Sequence, residues 1–228
     1  MALYAIADLH LSLSGSKPMD VFPGWENYVS RLQAGWEALV RPQDTVVVPG
    51  DISWAMDLNG ALADFRFLDA LPGKKVILKG NHDYFWTTLS KMNTFLSSNG
   101  IESISILHNN CITAEGYCLC GTRGWVYDGT EPADQKVILR EAGRLRMSLE
   151  QGAKTGFPIL CFLHYPPILG KERCEEILQI LNEFNITRCY YGHIHGSACQ
   201  FALNGMAEGI QFTLISADAL RFIPLRIQ

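Results

Sequence analysis

Five times along this chain an apolar run stops abruptly on glycine, an acid, asparagine or histidine. "ALYAIAD" leads into Asp8-x-His10, and "DTVVVPGD" closes on Gly50-Asp51. "KKVILKGNHD" closes on Gly80-Asn81-His82-Asp83, "FPILCFLHYPP" turns polar at His164, and "ITRCYYGHIHG" ends in Gly192-His193-Ile194-His195-Gly196. Each run is short and rich in β-branched or aromatic residues, which reads as a strand buried on both faces. Between the runs, residues 25–40, 58–71, 87–100, 132–153 and 171–184 read as helices, with stops at Pro72-Gly73 and Gly100. Strands alternating with helices in this way predict an α/β fold with helices outside.

Two further strands are expected in "IESISILHN" and "CITAEGYCLCGT". The tail "QFALNGMAEGIQFTLIS" carries turn signals at Asn204-Gly205 and Glu208-Gly209 and reads as antiparallel hairpin material. No linker-like or repeated stretch divides the 228 residues, so one domain is expected. The net charge is −4 and no Lys/Arg run occurs, which argues against a preformed footprint for duplex DNA. Seven cysteines without a C-x-x-C pair read as buried, reduced thiols, and hence as a cytoplasmic protein. The first residues lack the basic region of a signal peptide, and no apolar run nears the ~20 residues that span a bilayer.

The polar strand ends carry the functional signal. In open α/β sheets, sites form beyond the carboxyl ends of the strands. Five of the six histidines stand at such ends, beside carboxylates; only His108 does not. One histidine there is ordinarily a packing residue, but five arriving with acids point to metal ligation. Imidazole, carboxylate and carboxamide donors without a thiolate suit Mn²⁺ or Fe, with Zn²⁺ as the alternative. The donors outnumber the needs of one ion, and two ions ~3.5–4 Å apart need a shared carboxylate.

Taken together and in order, these five blocks resemble the calcineurin-like metallophosphoesterase superfamily, over most of the chain. The resemblance implies a four-layer α/β/β/α sandwich with mixed sheets, a single metallophosphoesterase domain over residues 1–228, and two divalent metal ions. It implies that Asp8, His10 and His195 hold one ion, that Asn81, His164 and His193 hold the other, and that Asp51 bridges them. It places His82 toward substrate, where it stabilises phosphoryl oxygens or protonates the leaving group, with Asp83 beside it as a second catalytic candidate. The implied reaction is attack of a metal-bridging hydroxide on a small phosphomonoester or phosphodiester.

The second block reads "GDISWAMD", whereas the protein Ser/Thr phosphatase branch continues as Gly-Asp-x-Val-Asp-Arg-Gly. Protein phosphatase activity is therefore not expected, and Asp57 or Asp83 is left to orient His82. The block "ADLHLS" is closer to the branch of small phosphohydrolases. Trp54 and Trp86 are candidates to stack on substrate or to pack the core. Arg123, between glycines in "GTRGW", is a candidate phosphate clamp or a solvated turn residue. A nuclease of the same superfamily and a non-catalytic metal-binding scaffold are the alternatives. The chain lacks the length and basic surface of the first and keeps the histidine that the second tends to lose.

Overall fold

The computed structural model describes residues 1–15, 17–125 and 132–228. Its strands are β1 (Leu3–Ala5), β2 (Thr45–Pro49), β3 (Lys74–Leu78), β4 (Ile104–Ile106), β5 (Ile112–Ala114), β6 (Tyr117–Thr122), β7 (Ile159–Leu163), β8 (Ile168–Leu169), β9 (Glu172–Arg173), β10 (Arg188–Tyr191), β11 (Gly205–Ala207), β12 (Ile210–Leu214) and β13 (Leu225–Arg226). The helices are α1 (Tyr28–Leu39), α2 (Leu62–Ala70), α3 (Leu89–Ser98), α4 (Pro132–Ala153) and α5 (Glu175–Glu183).

Two mixed sheets form, in the orders β13-β1-β2-β3-β4 and β11-β12-β10-β7-β6-β5, with β8 and β9 as a separate hairpin. Three apolar clusters account for their stacking. Leu3, Ala5, Val47 and Val76 of the first sheet meet Leu119, Leu160, Phe162 and Tyr190 of the second. The outer face of the first sheet packs Trp36 of α1, Phe65 of α2 and Leu96 of α3. The outer face of the second packs Leu145 and Leu149 of α4 and Leu181 of α5. The layers therefore run α/β/β/α, as expected, because each strand has apolar residues on both faces and needs two partners.

The structure departs from the sequence reading at four places. "CITAEGYCLCGT" is a hairpin, β5 and β6, because Glu115 (φ 52°) and Gly116 (φ 80°) both take the left-handed conformation that a tight two-residue turn requires. In the tail only Glu208-Gly209 turns a hairpin. Asn204 instead accepts the Leu214 N–H through its side chain at 2.8 Å, and β12 pairs in parallel with β10. The last helix starts at Glu175 and not at Lys171, since Ile168-Leu169 folds back on Glu172-Arg173. Finally, β13 closes the first sheet antiparallel to β1. Among the described residues no helix is long and apolar enough to cross a membrane.

Candidate metal centre

The five polar blocks meet where β1, β2 and β3 of one sheet end beside β7 and β10 of the other. Backbone bonds lock the rim together. The Asp8 N–H donates to Gly50 O at 3.0 Å, the His10 N–H to Asp51 O at 2.9 Å, and the Gly192 N–H to His164 O at 3.1 Å. The sheets are also joined through side chains: the His193 N–H donates to Asp8 Oδ2 at 2.9 Å, and His164 Nδ1 donates to Pro49 O at 3.2 Å. Glycine is required at the crossings. A Cβ on Gly80 would overlap the Asp51 carboxylate and amide, and one on Gly192 would overlap the Asp8 carboxylate.

Two groups of side chains suited to holding a cation result, Asp8–His10–His195 and Asp51–His164–His193. In the first, His10 Nε2 and His195 Nε2 face each other at 3.3 Å, and Asp8 Oδ1 lies 3.6 Å from His195 Nε2. In the second, Asn81 Oδ1 lies 2.5 Å from His164 Nε2 and 3.0 Å from His193 Nδ1. The two groups share a flank: Asp51 Oδ2 is 3.7 Å from His10 Nε2 and 3.5 Å from His164 Nε2. Lone pairs of nitrogen and oxygen thus converge on two adjacent points, an arrangement that fits cations and leaves unprotonated imidazoles poorly satisfied. Oriented second contacts support this: Pro49 O fixes the His164 ring, and Asp218 accepts from His195 Nδ1 at 2.9 Å, so each presents Nε2 inward. Among the described residues His10 Nδ1 is buried without a partner.

The backbone of this rim is unusual. Asp8, His10, Asp51 and His193 all have positive φ, at 61°, 45°, 52° and 72°. Residues with a Cβ adopt this region at a cost, and such outliers concentrate at sites of function.

Burial and mutual charge push the ionisations of the rim far apart. Burial, reinforced by the neighbouring Asp8 charge, raises Asp51 to about 8. Burial also opposes the Asp8 carboxylate, but His195 and the other imidazoles outweigh it and hold Asp8 below the usual carboxylate range. Burial lowers His10 and His193 to about 3. For His195, burial is overcome by Asp8 and Asp218, which raise it to about 10.

The remaining predicted residues separate. His82 donates its N–H to Asp51 Oδ1 at 2.8 Å; its ring lies 4.3 Å from Trp54, with the Tyr84 hydroxyl 3.4 Å from Nδ1. Asp83 is fully buried and faces the backbone. Oδ2 accepts the Asp51 and Gly80 N–H groups at 3.0 and 2.7 Å, and Oδ1 those of Ile52 and Ser53 at 2.8 and 3.3 Å. Both its oxygens are therefore committed to holding the loops after β2 and β3. Asp57 accepts the Gly60 N–H, so the only side-chain partner of the His82 ring among the described residues is Tyr84.

Trp54 stacks on His10 at 5.0 Å and lines a cavity of about 590 Å³ with Met19, Phe22, Trp25, His82 and His195. Trp86 does not reach it and packs beside Phe85 and His108. Arg123 turns its guanidinium to Glu141, at 3.4 Å, and lies over the Trp125 ring. The sequence reading missed Asp218, Tyr84 and Trp25. Asp218 lies in "SADAL", well beyond the last block, and the bridge of Ser216 to Ala7 helps bring it back to the rim. The seven cysteines are free thiols, and none belongs to either ligand group.

Solved structures show the same architecture. A phosphopantetheinyl hydrolase from Mycobacterium tuberculosis is 15% identical, with a TM-score of 0.60, covering 99% of this chain and 95% of that one. A protein of unknown function from Aquifex aeolicus is 16% identical, with a TM-score of 0.51 and the same coverage of 99% and 95%. A protein from Thermus thermophilus is 13% identical, with a TM-score of 0.52, covering 93% of this chain and 87% of that one. No curated protein matches the chain. The sequence profile of the calcineurin-like phosphoesterases matches residues 1–197, which include every polar strand end described above. The chain belongs to the calcineurin-like phosphoesterase family, whose members hydrolyse phosphate esters with the help of metal ions.

Proposed function

We propose that residues 1–228 form one dinuclear phosphohydrolase domain that cleaves a phosphomonoester or phosphodiester with an apolar or aromatic alcohol portion. The observation that carries the dinuclear reading is the position of Asp51, whose Oδ2 lies between His10 of one group and His164 of the other. Asp8, His10 and His195 would hold one ion; Asn81, His164 and His193 the other; Asp51 would serve both. Mn²⁺ or Fe suits these nitrogen and oxygen donors, with Zn²⁺ as the alternative. When bound, such ions supply an activated water and offset charge on the phosphoryl oxygens.

The chain's own groups divide the rest of the work. His82 faces the cavity, and burial lowers its imidazole. The acid form would be the imidazolium, favoured by the negative charge of a bound phosphate ester: its Nδ1–H would donate to the Tyr84 hydroxyl oxygen and its Nε2 proton would pass to the leaving oxygen, leaving a neutral ring. Asp83 acts as a positioning residue for Asp51 through four backbone N–H groups. Trp54, Trp25, Met19 and Phe22 make the cavity beside the centre mainly apolar, which favours an apolar or aromatic leaving group and excludes water around it.

The test is a panel of initial rates with Mn²⁺, Fe²⁺ or Zn²⁺ on aryl phosphate, bis-aryl phosphate, cyclic nucleotides, nucleotide diphosphate esters and a pantetheine phosphate ester. Metal-dependent turnover, favouring apolar esters and lost in Asp51→Asn, is the expected result. A loaded, folded protein that hydrolyses none of them would overturn the reading.

A further inference from the structure

A second pocket, of about 220 Å³, opens beyond the ends of β3, β4 and β6 against α4, and shares no lining residue with the ligand groups or the apolar cavity. Its chemistry is opposite to that of the apolar cavity. Lys79, Arg123, Arg140 and Arg144 line it, around the single carboxylate of Glu141.

Glu141 is fully buried and already satisfied. It accepts from Thr122 Oγ1 at 2.8 Å and from Arg144 Nη1 at 2.7 Å, while Arg123 Nη2 at 3.4 Å and Arg140 Nε at 3.9 Å stand further off. One carboxylate of this kind needs one close cation. Here four cationic side chains surround it, in a chain whose net charge is −4. Arg123 is mostly buried, and its Nε has no hydrogen-bond partner among the described residues. Like charges gathered in a small concavity repel one another strongly unless an anion joins them. Guanidinium forks match the oxygens of a phosphate group in particular. The enclosed volume suits one or two such groups and not a nucleic-acid strand.

We propose that this pocket is a binding site for a phosphate group, distinct from the metal centre. It is mechanically close to that centre. Lys79 lies two residues before Asn81, and the Arg123 carbonyl accepts the N–H groups of His164 and Tyr165 at 3.1 and 2.8 Å. An occupant is therefore felt by two of the residues that would hold the second ion. The group is either free orthophosphate or the second phosphate of a bisphosphorylated substrate.

Binding is measured by equilibrium dialysis of labelled orthophosphate against the metal-loaded protein, which does not depend on the catalytic reading. Arg140→Gln and Lys79→Gln are the informative variants, because both leave the close Arg144–Glu141 pair in place; melting curves report their folding. Phosphate is expected to bind at a site that survives Asp51→Asn and weakens about tenfold in each variant, the effect of losing one charged hydrogen bond. Isotherms unchanged in both variants, or binding abolished by Asp51→Asn, would overturn the proposal. Kinetics then distinguish the sources. A KM for adenosine 3′,5′-bisphosphate that rises in the variants more than that for an aryl monophosphate assigns the pocket to a substrate's second phosphate. A noncompetitive component of orthophosphate inhibition that disappears in the variants assigns it to the free ion.

Discussion

Asp218 accepts the His195 Nδ1 proton at 2.9 Å and the Gly196 N–H at 2.8 Å. One carboxylate thereby fixes both the ring orientation of a proposed ligand and the start of the chain that follows it. Outer partners of this kind tune metal affinity about 10–100-fold. Asp218→Ala is expected to weaken the ion shared by Asp8, His10 and His195 by that amount, with the fold intact. Competition against a chelating indicator measures it, and activity should return as excess metal is added. Unchanged affinity would make Asp218 only a cap for the turn.

His82→Ala is expected to keep two ions per chain and lose roughly 10²–10⁴-fold in kcat/KM on an alkyl phosphate. The loss should be much smaller on nitrophenyl phosphate, whose leaving group departs without a proton. Equal losses on both would remove the acid role, and loss of metal would make His82 a ligand.

Asp83→Asn tests positioning. The four N–H groups that converge on the buried carboxylate would meet an amide with one acceptor oxygen and a competing NH₂ donor. A destabilisation of about 2–4 kcal/mol is expected from the unsatisfied groups. Metal content and Tm should fall together. A protein with full Tm and metal but no activity would instead place Asp83 in the chemistry.

Metal binding should tighten as pH rises. In the metal-free protein Asp51 sits at about 8 and His195 at about 10, so both carry protons at neutral pH. An incoming ion displaces those protons, so affinity falls as pH falls below these values and rises toward them. Each displaced proton contributes about tenfold per pH unit. Indicator titrations at pH 6, 7 and 8, with proton release read in buffers of different ionisation enthalpy, check the sign. Affinity independent of pH would contradict it.

Two glycines should respond in opposite directions. Gly143 lies on the exposed side of α4 with open space where a Cβ would stand, so Gly143→Ala should stabilise by about 0.5–1 kcal/mol. Gly192→Ala would drive its methyl into the Asp8 carboxylate and should lower Tm and displace the first ion. Thermal melts with and without metal separate the two effects.

The layers of the fold were legible because buried strands and amphipathic helices write different periodicities into the sequence. Hairpins that depend on two left-handed residues were less so, since Glu115 does not advertise a positive φ. The polar strand ends were legible as a set because five carry histidine or acid immediately after an apolar run. What lay outside the blocks was not. Asp218 and Trp25 reach the centre only through the folding of the C-terminal tail and of the loop before α1, and no local spacing encodes those contacts. Arg123 stands out in the sequence for its flanking glycines, but its direction depends on Glu141, 18 residues later in the chain, and shows only once α4 packs on β6.

The positive φ angles at Asp8, His10, Asp51 and His193 carry an energetic meaning. Glycine at any of these positions would relieve strain on the order of 1 kcal/mol. At Asp8 and Asp51 the same change would also remove the acceptors of the His193 and His82 N–H groups, so part of the strain is offset by bonds that only these carboxylates make. The four positions thus give up backbone ease to turn polar side chains toward one rim, free energy that a bound cation would return.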